Sequence, residues 1–516
     1  MRMVNRWIGH LLAAAIVAGV MPVAAQVVIA TDAGSVRGLE ANGLLAFKGL
    51  RYAAPPVGEA RWRAPQALSP WAGTVPAQAP GASCIQKPAL SIDSGGGDPR
   101  PMAEDCLFLN VWTPRAEAAA RLPVMVWIHG GALIFGAGQL PVYDGAALAR
   151  QDVVVVTLNY RLGPLGFFAH PALGTADAGA PANFGLLDQI AALQWVQRNI
   201  AAFGGDPSNV TVFGQSAGAE SVLALMASPL ARGLFAKGIA QSPYGIPSHT
   251  RRKAEAVALR VSEALGVPGG AKASAADLRA IPAQAFGSLD GTGLSLAPSF
   301  ITGDAALPQP ILTAFRRGRQ ATVPLVIGST SDDSSVAFAF GISPAAAFAK
   351  LGAARTPVRS LYPRELDEAE LGRQTVRDLV FTAFSRRIAV LHSARAPTWR
   401  YYFDYSASGV RDSRPGVPHG SEIPFTMGTL DSCQCLDVPA SAEDRAAARR
   451  ITARWTQFAR SGVPDAPQAL AWPRDTRRNA VVMTFAQDDQ LHPAFMQKRL
   501  DAFIGTLNVA GAVVPR

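Results

Sequence analysis

The chain has 516 residues, of which 49% are hydrophobic and 17% charged. That balance excludes intrinsic disorder, because enough apolar surface is present to offset the ordering entropy of a compact chain. Its 48 Gly and 39 Pro follow no period, which excludes collagen-like and linker-dominated architectures. The formal charge of +10 comes from dispersed basic residues, so it bears on solubility and gives no footprint for nucleic acid.

Arg2 and Arg6 precede a short apolar run, Leu11 to Val20, and Val23-Ala24-Ala25 offers small residues before Gln26. Residues 1–25 therefore read as a secretory signal peptide, too short and wrongly flanked for a membrane anchor. No Cys follows the cleavage point, as a lipoprotein would need. No later segment approaches the roughly 18 uncharged apolar residues of a spanning helix. Residues 26–516, with no internal repeat and no readable linker, are expected to form one soluble domain. Its location would be periplasmic or extracellular, and loss of Arg2 and Arg6 leaves a formal charge of +8.

Export permits disulfides among Cys84, Cys106, Cys433 and Cys435. Joining Cys84 to Cys106 would close a loop of 22 residues, worth about 3 kcal/mol in the chain-entropy model. Cys433 and Cys435 are too closely spaced for an ordinary bridge and lack partners for a zinc site. A strained local disulfide and a reduced pair both stay open.

Six apolar, β-branched runs read as strands: Val124 to Ile128, Val153 to Leu158, Val210 to Phe213, Pro324 to Ile327, Trp399 to Tyr405 and Val481 to Phe485. Several lack polar alternation, which suits strands covered on both faces. Helical patterns such as Leu186 to Ile200 and Ala219 to Ala227 lie between them. This alternation predicts an open, mostly parallel α/β sheet with helices on both sides. Reactive groups in such sheets sit at the carboxyl ends of the strands. Arg445, Arg449, Arg450 and Arg454 share one predicted amphipathic helix and read as a solvated face.

Directly after the strand Val210 to Phe213 comes Gly214-Gln215-Ser216-Ala217-Gly218, followed by a helical run. A serine on a sharp strand-to-helix turn needs small neighbours, because a Cβ on either side would collide with the adjoining elements. Without strand before and helix after, the pattern would be an ordinary glycine turn. The helix N-terminus favours developing negative charge. A hydroxyl also needs a base, and the oxyanion it creates needs preset donors. His129-Gly130-Gly131-Ala132, after the strand Val124 to Ile128, offers them: the N–H groups of Gly131, Ala132 and Ala217 would make a three-donor hole.

At this point the chain resembles the type-B carboxylesterase family of α/β-hydrolases. The resemblance runs through nearly all of residues 26–516. It is carried by Phe47 to Gly58 with Arg61-Trp62, by Glu104-Asp105-Cys106-Leu107-Phe108-Leu109-Asn110-Val111, and by Asn159-Tyr160-Arg161. Asn183 to Gln189, Phe203 to Pro207 leading into Ser216, and Trp455 to Ala459 complete it. The resemblance implies the α/β-hydrolase fold, a Cys84–Cys106 bridge, ester hydrolysis, and no metal or cofactor. It places the catalytic base at His419, in Pro418-His419-Gly420-Ser421-Glu422. His392 and His492 are read as surface residues and His129 as a support for its loop.

The acid falls in Gly328-Ser329-Thr330-Ser331-Asp332-Asp333, where relatives usually carry Asp-Glu-Gly. By position Asp333 takes the role, with Asp332 as the alternative. Asp is one methylene shorter than Glu, so the loop must bring it closer to His419. Ser242, in Gln241-Ser242-Pro243, resembles a serine that bonds the acid in relatives, although Pro243 replaces the usual Gly.

The expected activity is serine carboxylesterase on small-molecule esters, with short acyl groups preferred. A lipase-like or specialised esterase and a non-catalytic adhesion module are the alternatives. A cholinesterase is disfavoured: no aromatic residue lies between Cys84 and Cys106, and neutral Gln215 stands where those enzymes carry Glu. The sequence does not set the oligomeric state.

Overall fold

Successive residues of a β-strand point to opposite faces, and the central strands of this chain are apolar on both. In Leu122–Ile128, Val124, Val126 and Ile128 enter one apolar layer, while Met125 and Trp127 enter the other. A strand of this kind is stable only between two covering layers of helix, and that is the architecture found in the computed structural model. It describes residues 25–174, 179–289, 299–339, 341, 343–433, 435, 438–477 and 479–513. Almost all of the expected signal peptide, residues 1–24, lies outside them.

Thirteen strands form the main sheet. Those on its path are β1 (Ala25–Ala30), β2 (Ser35–Ala41), β3 (Leu44–Arg51), β4 (Phe108–Thr113), β5 (Leu122–Ile128) and β6 (Val154–Leu158). They continue with β7 (Gly205–Gln215), β8 (Lys237–Gln241), β9 (Leu325–Thr330), β10 (Thr398–Phe403), β11 (Val481–Phe485) and β12 (Asp489–Pro493). The spatial order is β1-β2-β3-β4-β6-β5-β7-β8-β9-β10-β11-β12, with Thr74–Pro76 pairing beside β2. From β6 through β11 every neighbouring pair is parallel. The flanks are antiparallel. All six expected strands are present, in the parallel part.

Helices α1 (Phe184–Asn199) and α2 (Ala217–Ala227) cover one face, burying Leu186, Ile190, Leu193, Val222, Leu223 and Met226. Helix α3 (Ala383–His392) adds Phe384, Ile388 and Ala389 to the same layer. Helix α4 (Ala442–Ser461) covers the other face with Ala447, Ile451, Trp455 and Phe458. Its start is a capping box, with the Asp444 N–H donating to Ser441 Oγ and the Ser441 N–H to Asp444 Oδ2. It ends at Gly462, whose φ of 75° is the left-handed cap that glycine adopts without strain.

The arginine cluster of α4 is not one solvated face. Arg445 is exposed on Asp431, but Arg454 is fully buried, bonded to Asp489 at 3.0 Å and to the Leu470 carbonyl at 2.8 Å. The burying partners are long-range, so helical periodicity could not separate the two. Cys84 is joined to Cys106, with Cα atoms 4.9 Å apart, and Cys433 is joined to Cys435. Among the described residues, no helix is long and apolar enough to cross a membrane.

Candidate active site

β7 delivers Ser216 to the carboxyl edge of the sheet. Its φ of 57° and ψ of −123° are a conformation that L-residues avoid, held because the Ser216 N–H donates to the Gln241 carbonyl of β8 at 2.8 Å. The flanking glycines are obligatory by geometry. A Cβ on Gly214 would lie 2.5 Å from the Ile128 carbonyl oxygen, and one on Gly218 would lie 2.0 Å from it. Every residue of α2 is buried, so the turn rests on a helix locked into the core.

The loop after β5 curls back in left-handed conformations at Gly131, Ala132 and Leu133. At Gly131 a Cβ would fall 2.1 Å from the Phe135 carbonyl oxygen, so glycine is required. The N–H groups of Gly131, Ala132 and Ala217 have no acceptor among the described residues. His129 below them is buried, its ring 4.4 Å from that of Tyr160, whose hydroxyl donates to the His129 carbonyl. Burial lowers His129 to about 4, so the ring is neutral, and its Nδ1–H donates to the Gly130 carbonyl at 2.8 Å. Gln86, two residues from Cys84, clasps Gly136 from both sides: Nε2 donates to its carbonyl at 2.9 Å and Oε1 accepts its N–H at 2.8 Å.

The sequence motifs meet as ion pairs. Arg51 bonds Asp105 at 2.7 Å and Arg61 bonds Glu104 at 2.8 Å. Arg161 and Asp188 are both buried and joined by two side-chain contacts of 2.8 and 2.7 Å.

His419 Nδ1 lies 2.7 Å from Asp333 Oδ1. Asp333 is fully buried, and its second oxygen accepts the Thr330 N–H at 2.8 Å. Asp332 turns away to Arg373 at 3.0 Å and to the Ser334 hydroxyl at 2.6 Å. Three bonds draw the histidine loop onto the acid loop: Asp332 N–H to the Val417 carbonyl at 2.9 Å, Val417 N–H to Ser331 Oγ at 2.8 Å, and His419 N–H to Ser335 Oγ at 2.8 Å. They supply the reach that the shorter Asp lacks. The other imidazole nitrogen, Nε2, faces the Gln215 amide nitrogen at 3.1 Å.

With a strained serine at a strand end, uncommitted N–H groups beside it and a carboxylate-bound histidine, the site has the parts for acyl transfer. Residues 25–359 and 364–503 match the model of the carboxylesterase family. The chain belongs to that family. It is 36% identical over 501 residues to the fumonisin B1 esterase of Sphingopyxis macrogoltabida, covering 90% of this chain and 88% of that one. It is also 36% identical over 473 residues to the para-nitrobenzyl esterase of Bacillus subtilis (strain 168), covering 88% and 94%. A solved PNB esterase superposes with a TM-score of 0.80 at 34% identity, over 92% of this chain and 99% of that one.

This carboxylesterase-family chain thus has the α/β-hydrolase fold and is a carboxylic ester hydrolase acting on small-molecule esters. Two expectations need correction. The Ser242 hydroxyl is buried without a hydrogen-bond partner among the described residues, so it does not bond the acid. Both Asp333 oxygens are already engaged, while the Ser242 N–H donates to the Gly328 carbonyl and its φ is 51°. His392 is buried, not superficial. At the end of α3 it lies 3.2 Å from Gln320 Nε2 and 2.8 Å from the Val323 carbonyl. His492, on edge strand β12, is half-buried.

Two further residues at the site escaped the sequence reading. Phe381 sits in a π-helical turn, Arg377–Thr382, with its ring centroid 5.0 Å from that of His419. Glu422, three residues beyond His419, is fully buried and neither carboxylate oxygen has a well-formed hydrogen bond. Burial, then the charge on Asp333, pushes it up to about 7. The local sequence gives no signal for its burial, because an acid at the start of a helix is ordinarily solvated.

Proposed function

We propose that the protein is an exported serine carboxylesterase working through Ser216, His419 and Asp333, with short acyl groups preferred. The observation that carries this reading is the 2.7 Å His419–Asp333 contact alongside the strained turn at Ser216. Asp333 fixes the imidazole with its proton on Nδ1 and stabilises the imidazolium that forms. His419 Nε2 takes the Ser216 proton as the hydroxyl attacks the ester carbonyl. Gly131, Ala132 and Ala217 donate their N–H groups to the developing oxyanion. The imidazolium returns the proton to the departing alkoxide, leaving an acyl-serine. Water, deprotonated by the same nitrogen, then releases the acid.

Export rests on the arrangement of residues 1–25 and fits the joined Cys84–Cys106 pair. The test is a panel of p-nitrophenyl esters of rising acyl length, together with labelling by a fluorophosphonate. Fastest turnover on short chains and loss of label in Ser216→Ala are expected. An optimum on long-chain emulsions would replace the short-acyl reading by a lipase. Label that persists in Ser216→Ala would remove Ser216 from the mechanism.

A further inference from the structure

Gln215 is the last residue of β7 and only 4% exposed. Its amide lies between one glycine from each catalytic loop. A Cβ on Gly130 would come 3.1 Å from its Oε1, and a Cβ on Gly420 would come 3.7 Å from its Nε2. The amide nitrogen sits 3.1 Å from His419 Nε2, the nitrogen that the proposed mechanism uses as base. An amide nitrogen can only donate, so the imidazole nitrogen facing it must be the unprotonated one. The imidazole proton is then on Nδ1, where Asp333 accepts it.

We propose that Gln215 is a positioning residue: its carboxamide holds His419 in the base-competent tautomer and yields the Nε2 lone pair to Ser216 when an ester binds. This rests on the triad reading above. Ser216 is the next residue along the chain and needs the same lone pair, so the two groups alternate on one nitrogen. After proton transfer, Nε2 carries a hydrogen. A carboxamide can meet that state as well, by presenting its oxygen. A carboxylate in its place could only accept, and would favour the protonated ring before substrate arrives. The charged groups facing His419 are Asp333, from the loop after β9, and Glu422, from its own segment. Phe381 and Ser335 are neutral, and so is Gln215, which keeps the Nε2 side free of negative charge.

The experiment compares kcat/KM for p-nitrophenyl acetate, and the rate of fluorophosphonate inactivation, across pH 5 to 9. The proteins are the wild type, Gln215→Glu and Gln215→Met, each checked for folding by thermal unfolding. The acid limb of both profiles is expected to move to higher pH by about one unit in Gln215→Glu. In Gln215→Met, which has no donor and no charge, it should move the same way by a smaller amount. The new carboxylate in Gln215→Glu moves the limb whatever Gln215 does, so the Met variant decides: there, a side chain that only filled space would leave the limb in place. A Gln215→Met profile that superposes on the wild type overturns the proposal, whatever the Gln215→Glu profile shows. A wild type that neither turns over the ester nor takes the label would instead overturn the triad reading.

Discussion

Arg373 holds Asp332 in a 3.0 Å ion pair, and this assigns the two adjacent carboxylates different partners. Asp333, one residue on, is left to His419. The replacement Asp333→Asn should therefore present the imidazole in the wrong tautomer and lower kcat by about 10⁴ on a short-chain ester. For Asp332→Asn the expected effect is on stability, about 2 kcal/mol from a lost charged hydrogen bond, with kcat within a few-fold. Activity assays and urea unfolding of the two variants separate these outcomes. The reverse pattern would shift the acid by one residue.

At Gly218 the added methyl would have to occupy space 2.0 Å from a backbone oxygen that closes the β5–β7 edge. Backbone cannot step aside as a flexible side chain can. The variant Gly218→Ala should lose at least about 3 kcal/mol of stability, the upper end of overpacking costs. Its residual activity should fall with the displaced Ser216. Chemical denaturation and fluorophosphonate labelling of the same sample would measure both.

Glu422 makes a prediction with a definite sign. Its folded value of about 7 is above the ordinary 4.5, so the native state binds a proton that the unfolded chain releases between those limits. Stability from this group is complete below pH 4.5 and declines as pH rises through 7. In Glu422→Gln that decline is removed. Relative to wild type, the variant should gain up to about 3 kcal/mol between pH 4.5 and 8. Urea midpoints at several pH values test it, and a pH-independent difference would mean that the carboxyl is not titrating in that window.

Gln86 couples the Cys84–Cys106 bridge to the loop that would bind the oxyanion, through its two bonds to Gly136. Replacement by Ala should lower kcat about tenfold while KM changes little, because the loop's N–H groups act mainly in the transition state. A change confined to KM would place Gln86 in substrate binding instead.

Where the signal was local, the sequence was sufficient. Gly214, Ser216 and Gly218 are read from one strand–turn–helix segment, and the strand bounds followed from apolar runs that both faces bury. His419 and Asp333 came from resemblance to a family, since 86 residues separate them in the chain and no local pattern links them. What escaped depends on distant packing. Phe381 meets His419 from a π-helical turn 38 residues away in the chain, and Arg454 is buried where Asp489 and Leu470 close over it. Ser242 misled for a related reason: its hydroxyl depends on where the chain goes after Pro243, which its own dipeptide does not encode.

Base and acid are fastened to one another by three hydrogen bonds, two to the hydroxyls of Ser331 and Ser335 and one from the Asp332 N–H, all made with residues 417–419. Ser216 and Ala217 belong to a different body, the strand and helix on either side of the elbow. The site is therefore built as two internally bonded halves that meet across a seam, on one side the proton-handling pair and on the other the attacking oxygen. Motion that opened that seam would part Ser216 from His419 without breaking any of the bonds within either half. Thermal or solvent stress should accordingly weaken attack well before it disturbs the His419–Asp333 bond.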